Sequence, residues 1–265
     1  GQSSEALASF RKAESFSPRS AAVQFFIGRE SLFLSDQDVP NQEALTAAAE
    51  KAFLQAIQLD PQYAYAYIGL GGVYFARAKR LVSAVAAQAI PGPDAPARLS
   101  TAAGLIEQAK TNYQLALKLP AAAKPPGMAV DPSAHLGIGT ALRVQSEIQY
   151  RGGQFDAAKS SLMAGEHELE GILPALQAEN QERLLAQTYQ TLGTAYQWLG
   201  FLYETSNDPQ TSRAEYTLAL QAYDHCTALG KASADRIVRD DIAAKLCAPY
   251  RGDVQKRLDM LSGGS

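Results

Sequence analysis

Residues 64–74 read AYAYIGLGGVY and residues 186–196 read AQTYQTLGTAY. The two stretches share one spacing: Ala64 or Ala186, then Tyr67 or Tyr189, then Leu70-Gly71 or Leu192-Gly193, then Tyr74 or Tyr196. Steps of three and four put every one of these residues on one face of an α-helix. The small residues let a second helix come close, and the large ones fill the volume beside it. A second pattern, Ala49-x-x-x-Phe53-x-x-Ala56, runs to Asp60-Pro61, and Ala6-x-x-x-Phe10-x-x-Ala13 echoes it before Ser17-Pro18. Proline disfavours helical backbone at the residue before it, so each of these helices ends there. The chain reads as an alternation of two kinds of helix.

Composition sets the bounds. With 265 residues, 46% hydrophobic and 19% charged, the chain can bury a substantial core. Alanine is abundant and β-branched residues do not alternate, which favours helices over sheets. A net charge of −3, with no more than two basic residues adjacent, argues against nucleic acid as a partner. Apolar runs such as 84–90 fall short of the roughly 20 residues a membrane span needs, so no direct membrane insertion is expected. The chain starts at Gly1 without Met, as if an upstream segment had been cut away, and residues 262–265 read as a linker or appended tail. Cys226 and Cys247 fall on consecutive antiparallel helices, Cys247 a full helix beyond the connection. Their separation should then exceed the roughly 7 Å reach of a disulfide. Two free thiols would favour a reducing, cytoplasmic setting, with a membrane-tethered extracytoplasmic domain as the alternative. The alanine content and the excess of Arg over Lys, 14 against 10, fit a GC-rich bacterial genome.

The alternating signatures resemble the tetratricopeptide repeat (TPR) family, whose unit is a helix-turn-helix of about 34 residues. The resemblance implies an all-α solenoid of helical hairpins wound into a right-handed superhelix, a single domain over 1–261. Its units would be a partial 4–18, then 19–61, 62–120, 131–173 and 179–230, with a helical cap at 232–261. In the first complete unit Ile27-Gly28 takes the Leu-Gly slot and Gln24 replaces the bulky aromatic. The second unit breaks the period, because 76–89 keeps apolar spacing without glycine or proline up to Pro91. This predicts an elongated hairpin whose arms extend roughly 18 Å beyond a normal repeat. Its apolar face would be exposed, and the 79–105 hairpin is a candidate for self-association. The third unit reopens at Asp131-Pro132 and turns at 150–158, YRGGQFDAA, with Leu162, Leu169 and Leu173 on its partner helix.

Within the family, the first helix of each unit lines a concave groove. By pattern position this implies Phe25 and Arg29 in the first unit and Tyr65, Ile68, Gly72 and Phe75 in the second. The third unit contributes Thr140, Arg143, Glu147 and Arg151, and the fourth Gln187, Gln190, Thr194, Gln197 and Trp198. The groove would pass from apolar and aromatic to polar and Gln-rich, suiting an amphipathic helix or extended peptide of a partner protein. Tyr65, Phe75 and Trp198 would anchor it, with Arg143 and Gln190 fixing register. Tyr65, Ile68 and Phe75 could equally pack against the long hairpin or a chain terminus. Some family members clamp a chaperone's C-terminal carboxylate with Lys, Arg and Asn; here Arg29, Arg143 and Arg151 lack the paired Asn and Lys, so that specificity is not assigned. The resemblance implies a non-enzymatic interaction scaffold; the alternative is a regulatory sensor domain for a small molecule or signalling peptide.

Catalysis finds little support in the residues. His135, His167 and His225 are widely separated and lack metal-ligand spacing. Consecutive Glu166, His167 and Glu168 point to different sides of a helix. His225-Cys226 could form a thiolate pair, but Cys226 falls in a small-residue packing slot. Asp240-Asp241 reads as a solvated face paired with Arg236 and Arg239. Gly69, Gly71 and Gly72 belong to the repeat rather than to a phosphate loop, and Arg251-Gly252-Asp253 is too short a match to carry weight. No catalytic residue, metal or cofactor is expected.

Overall fold

The glycines of the first helix type and the aromatics of the second meet in space, and this interlock explains both signatures. In the computed structural model, which describes residues 2–87, 92–124 and 129–263, all regular structure among those residues is helical. The order is α1 (Gln2–Phe16), α2 (Ala21–Ser35), a 3-10 turn (Val39–Asn41), α3 (Gln42–Leu59), α4 (Ala64–Ala86) and α5 (Ala95–Lys118). After a second 3-10 turn (Ala121–Ala123) come α6 (Val130–Arg151), α7 (Phe155–Ala178), α8 (Glu182–Thr205) and α9 (Pro209–Ala232). A π-helical segment (Ile237–Cys247) leads directly into α10 (Ala248–Gly263). Two compact units divide the chain, Gly1–Gly137 and Ile138–Ser265, the boundary lying within α6.

In the first unit, Phe53 of α3 is 1% exposed and lies against Gly28 of α2 and Gly69 of α4. A Cβ at Gly28 would stand 2.8 Å from the Phe53 ring, and one at Gly69 closer still. Tyr113 of α5 repeats the arrangement: a Cβ at Gly71 or Gly137 would come within 2.7 or 2.6 Å of its ring. Each aromatic of a second helix is thus wedged between glycines of two successive first helices. Ala49 and Ala56 flank Phe53, and Ala109 and Ala116 flank Tyr113, all at 0% exposure, because a larger side chain would hold the helices apart. Gln24, in the slot that elsewhere holds an aromatic, is 2% exposed and donates to Glu14 of α1 at 2.8 Å. Its buried amide gains there the partner that burial requires.

The α4–α5 pair has arms of 23 and 24 residues. It is not exceptional in length, since α6 to α9 have 22 to 24 residues each. Its apolar residues Val82, Val85, Ala95, Ala102 and Ile106 are buried, at most 3% exposed. The face expected to be exposed for self-association is therefore turned inward. The expected break at Ile90-Pro91, the loop core 125–127 and the last two tail residues lie outside the described residues.

In the second unit, α7 continues past its expected end at Leu173, through Pro174, to Ala178. Its end and those of α6 and α8 share one closure. Asn180 (φ 53°), Gly153 (φ 75°) and Asn207 (φ 59°) each take the left-handed conformation after their helix. The next residue then donates back to the carbonyl five residues earlier: Gln154 to Gln149 at 2.8 Å, Gln181 to Leu176 at 3.0 Å, Asp208 to Tyr203 at 2.9 Å. Asp208 also caps α9 by accepting from the Thr211 amide at 3.1 Å, ahead of Pro209 at the first helical position. Tyr223 of α9 packs on Gly193 of α8, so the fourth pair uses the same interlock.

The cysteines overturn the sequence expectation. Cys226 and Cys247 form a disulfide across a Cα–Cα distance of 6.2 Å. The expectation assumed an ordinary α-helix after the connection. The π winding, with bonds from i to i+5, is wider and climbs less per residue, so Cys247 comes level with Cys226. Both cysteines are fully buried, so Cys226 does fill the packing slot of its signature, but as half of a cystine.

Candidate binding face

In the first unit the predicted residues sit on α2 and α4. Phe25 is buried, its ring 5.9 Å from Phe53, 5.6 Å from Tyr63 and 5.7 Å from Tyr65. Phe25 and Tyr65 thus pack on each other, which leaves Tyr65 half-buried. Arg29 lies 4.8 Å over the Phe26 ring and pairs with Glu30 at 2.7 Å. Ile68 and Phe75 are half-buried on α4. A depression of about 740 Å³ lies beside α3 among Arg19, Glu50, Lys51 and Gln58, and includes none of the predicted residues.

The second unit brings its predicted residues together more closely. Trp198 of α8 meets Tyr150 of α6 edge-on at 5.7 Å and Phe201 at 5.8 Å. Tyr150 also meets Phe155 at 5.5 Å and Phe201 at 5.6 Å. Along the same helix, Gln190 Nε2 donates to Thr194 Oγ1 at 3.1 Å, and Thr194 lies 3.3 Å from the Tyr223 hydroxyl. That hydroxyl donates to Gln197 Oε1 at 3.1 Å. Gln187 is exposed and lies outside this network. Arg143 of α6 is largely withdrawn from solvent, and this desolvation lowers its pKa from the usual arginine value. It makes no hydrogen bond or ion pair with another described residue.

The sequence singles out none of Tyr150, Tyr223 and Tyr250 as a site residue: Tyr150 falls in the 150–158 turn, Tyr223 in the fourth unit and Tyr250 in the 232–261 cap. Only Tyr223 carried a usable signal: a tyrosine in a slot where Phe53 shows that phenylalanine suffices has a hydroxyl to place.

A second polar cluster joins α7, α8 and α9. Tyr196 donates its hydroxyl to Glu170, with Glu166 and Glu215 close by. Burial first, then Glu215 and Glu170, push the Glu166 carboxyl up to about 8. Glu215 is also raised, by burial and then by Glu170. The folded state therefore holds the Glu166 proton more tightly than the unfolded chain, whose value is near 4.5. The stability this contributes is complete below the unfolded value and falls as pH rises towards the folded one. Between about pH 5 and pH 8 the Tm of the second unit should fall. Glu166→Gln should flatten that slope when the two melting series are compared. An unchanged slope would show that Glu166 does not hold its proton.

Among the described residues, no three His, Cys, Asp or Glu side chains gather where they could hold a metal. His225 stacks on Tyr189 at 4.9 Å. No described helix is long and apolar enough to cross a membrane. Compared with models of protein families and with curated proteins, the chain matches none.

Proposed function

We propose that this chain is a non-enzymatic interaction protein built from tetratricopeptide-type helical pairs, holding a peptide or helix of a partner protein against α6 and α8. The observation that carries this reading is the half-buried Tyr150–Trp198–Phe201 cluster between α6 and α8. That cluster offers apolar contact, and Gln190, Thr194 and Gln197 of the same helix α8 offer polar groups to set register. An aromatic anchor beside directional polar groups is the usual composition of a binding hot spot.

Trp198 is the chain's single tryptophan, so its fluorescence reports on this face alone. A panel of helical and extended peptides, titrated against the full chain, should contain a binder that shifts Trp198 emission. Trp198→Ala should weaken that binder by about thirtyfold, the effect of losing roughly 2 kcal/mol at a hot spot, with helicity by circular dichroism unchanged. A partner bound equally well by the variant would move the binding surface away from α6 and α8.

A further inference from the structure

The depression of about 740 Å³ beside α3 holds two cations and no free carboxylate among its described lining residues. Its wall is one stripe of α3, with Glu50, Lys51, Leu54, Gln55 and Gln58 at helical spacing, and Arg19 joins them from the turn before α2. The stripe runs from residue 47 to residue 59, roughly 18 Å of helix. Glu50 is already taken, because Arg77 of α4 holds it at 2.6 Å. Arg77 also pairs with Glu43 at 3.0 Å, and Arg80 stands 3.7 Å from Glu43, so two arginines and two glutamates cancel. Among the described residues, the side chains of Arg19 and Lys51 make no hydrogen bond or ion pair, and both are exposed. Their two positive charges share the depression with Leu54, which is 48% exposed. A large apolar side chain set among like charges fits a ligand of opposite charge with an apolar face of its own.

We propose that this depression docks an acidic amphipathic helix of a partner protein, its apolar side chains on Leu54 and its carboxylates on Arg19 and Lys51. The site lies in the first unit and is additional to the face on α6 and α8. The planar guanidinium of Arg19 matches the two oxygens of a carboxylate, Lys51 supplies a point charge, and Gln55 and Gln58 add neutral donors and acceptors. The occupant is helical because the wall of α3 offers side chains and no strand edge. A helix satisfies its own backbone, whereas an extended segment would bring N–H and C=O groups with no ladder to join. Charges this exposed govern steering and register more than affinity, and they are sensitive to salt.

The test titrates the full chain into fluorescently labelled peptides of about twelve residues, roughly three helical turns, and reads anisotropy. One peptide carries Glu and Leu on a single face, a second has Gln for every Glu, and a third has Ser for every Leu. The Glu–Leu peptide should bind saturably, and the other two at least about tenfold more weakly. Raising the salt from about 0.05 to about 0.5 M should weaken the Glu–Leu peptide severalfold. Arg19→Glu combined with Lys51→Glu should abolish binding of that peptide and confer binding of a Lys–Leu counterpart. Helicity by circular dichroism should not change, since both residues are exposed. Leu54→Ala should weaken the Glu–Leu peptide severalfold, and Trp198→Ala should leave its binding unchanged. Equal binding of the Gln peptide, no saturable binding, full binding to the charge-reversed chain, or loss with Trp198→Ala would overturn the proposal. So would a concentration-dependent dimer, read by sedimentation, that the charge-reversed chain fails to form, because the occupant would then be a second copy.

Discussion

Phe53→Ala is expected to lower the stability of the first unit by about 3–5 kcal/mol, the range for emptying a large aromatic site in a core. Phe53 is 1% exposed and its ring fills the space left by Gly28 and Gly69. Glycines have no side chain that could swing into the void, and the backbone of two helices would have to move for it to close. Phe25, at 5.9 Å, is held in turn by Tyr63 and Tyr65. Its neighbour Leu54 is 48% exposed, and Leu54→Ala should cost no more than about 0.5 kcal/mol. Urea unfolding, with hydrogen exchange on the amides of α2 to α4, measures both. A loss below about 1.5 kcal/mol for Phe53→Ala would mean that α2 and α4 can close the gap, and that the wedge is not what spaces them.

Removing the Cys226–Cys247 disulfide should have the next largest effect. It closes a loop of 21 residues, for which chain entropy gives about 3 kcal/mol, or roughly 6–12 °C in Tm. The fair comparison is the double variant Cys226→Ala, Cys247→Ala, because both sites are fully buried and serine would bury an unpaired hydroxyl. Without the bond, α10 is held to α9 by packing and by the Arg251–Asp224 pair at 2.5 Å, and to α8 by the Arg257–Glu204 pair, in part exposed. Such pairs contribute little at a surface, so exchange protection in the π-helical segment and α10 should fall first. Two titratable thiols in the unreduced, unfolded protein, or coincident melting of oxidised and double-variant chains, would count against it. The bond removes the premise of two free thiols on which the expectation of a reducing compartment rested.

Helix positions were legible because the packing code is local. Glycine at a fixed step from leucine, and an aromatic between alanines at a fixed step, each describe one face of one helix. The Asp60-Pro61 and Asp131-Pro132 boundaries were readable for the same reason. Less legible was whatever depends on how a helix winds or on what lies across from it. No residue type marks 237–247 as a π segment, so the level of Cys247 could not be judged. The continuation of α7 through Pro174 depends on its neighbours, with Leu169, Ile172 and Leu176 all buried. Of the proposed binding face, Gln190, Gln197 and Trp198 follow from their helix positions, whereas Tyr223 comes to Thr194 and Gln197 from α9, far along the chain.

The wedging of Phe53 and Tyr113 also bears on how such a chain can grow or shrink over generations. Each ring touches glycines on its own pair and on the next, so no pair is complete alone. A deletion running from one wedge to the following one, Phe53 to Tyr113, would return an aromatic to the same glycine neighbours. Loss of a single helix would instead leave glycines facing an empty socket. Inheritable changes of length in this part of the gene should therefore come in whole helical pairs, with breakpoints at equivalent wedge positions.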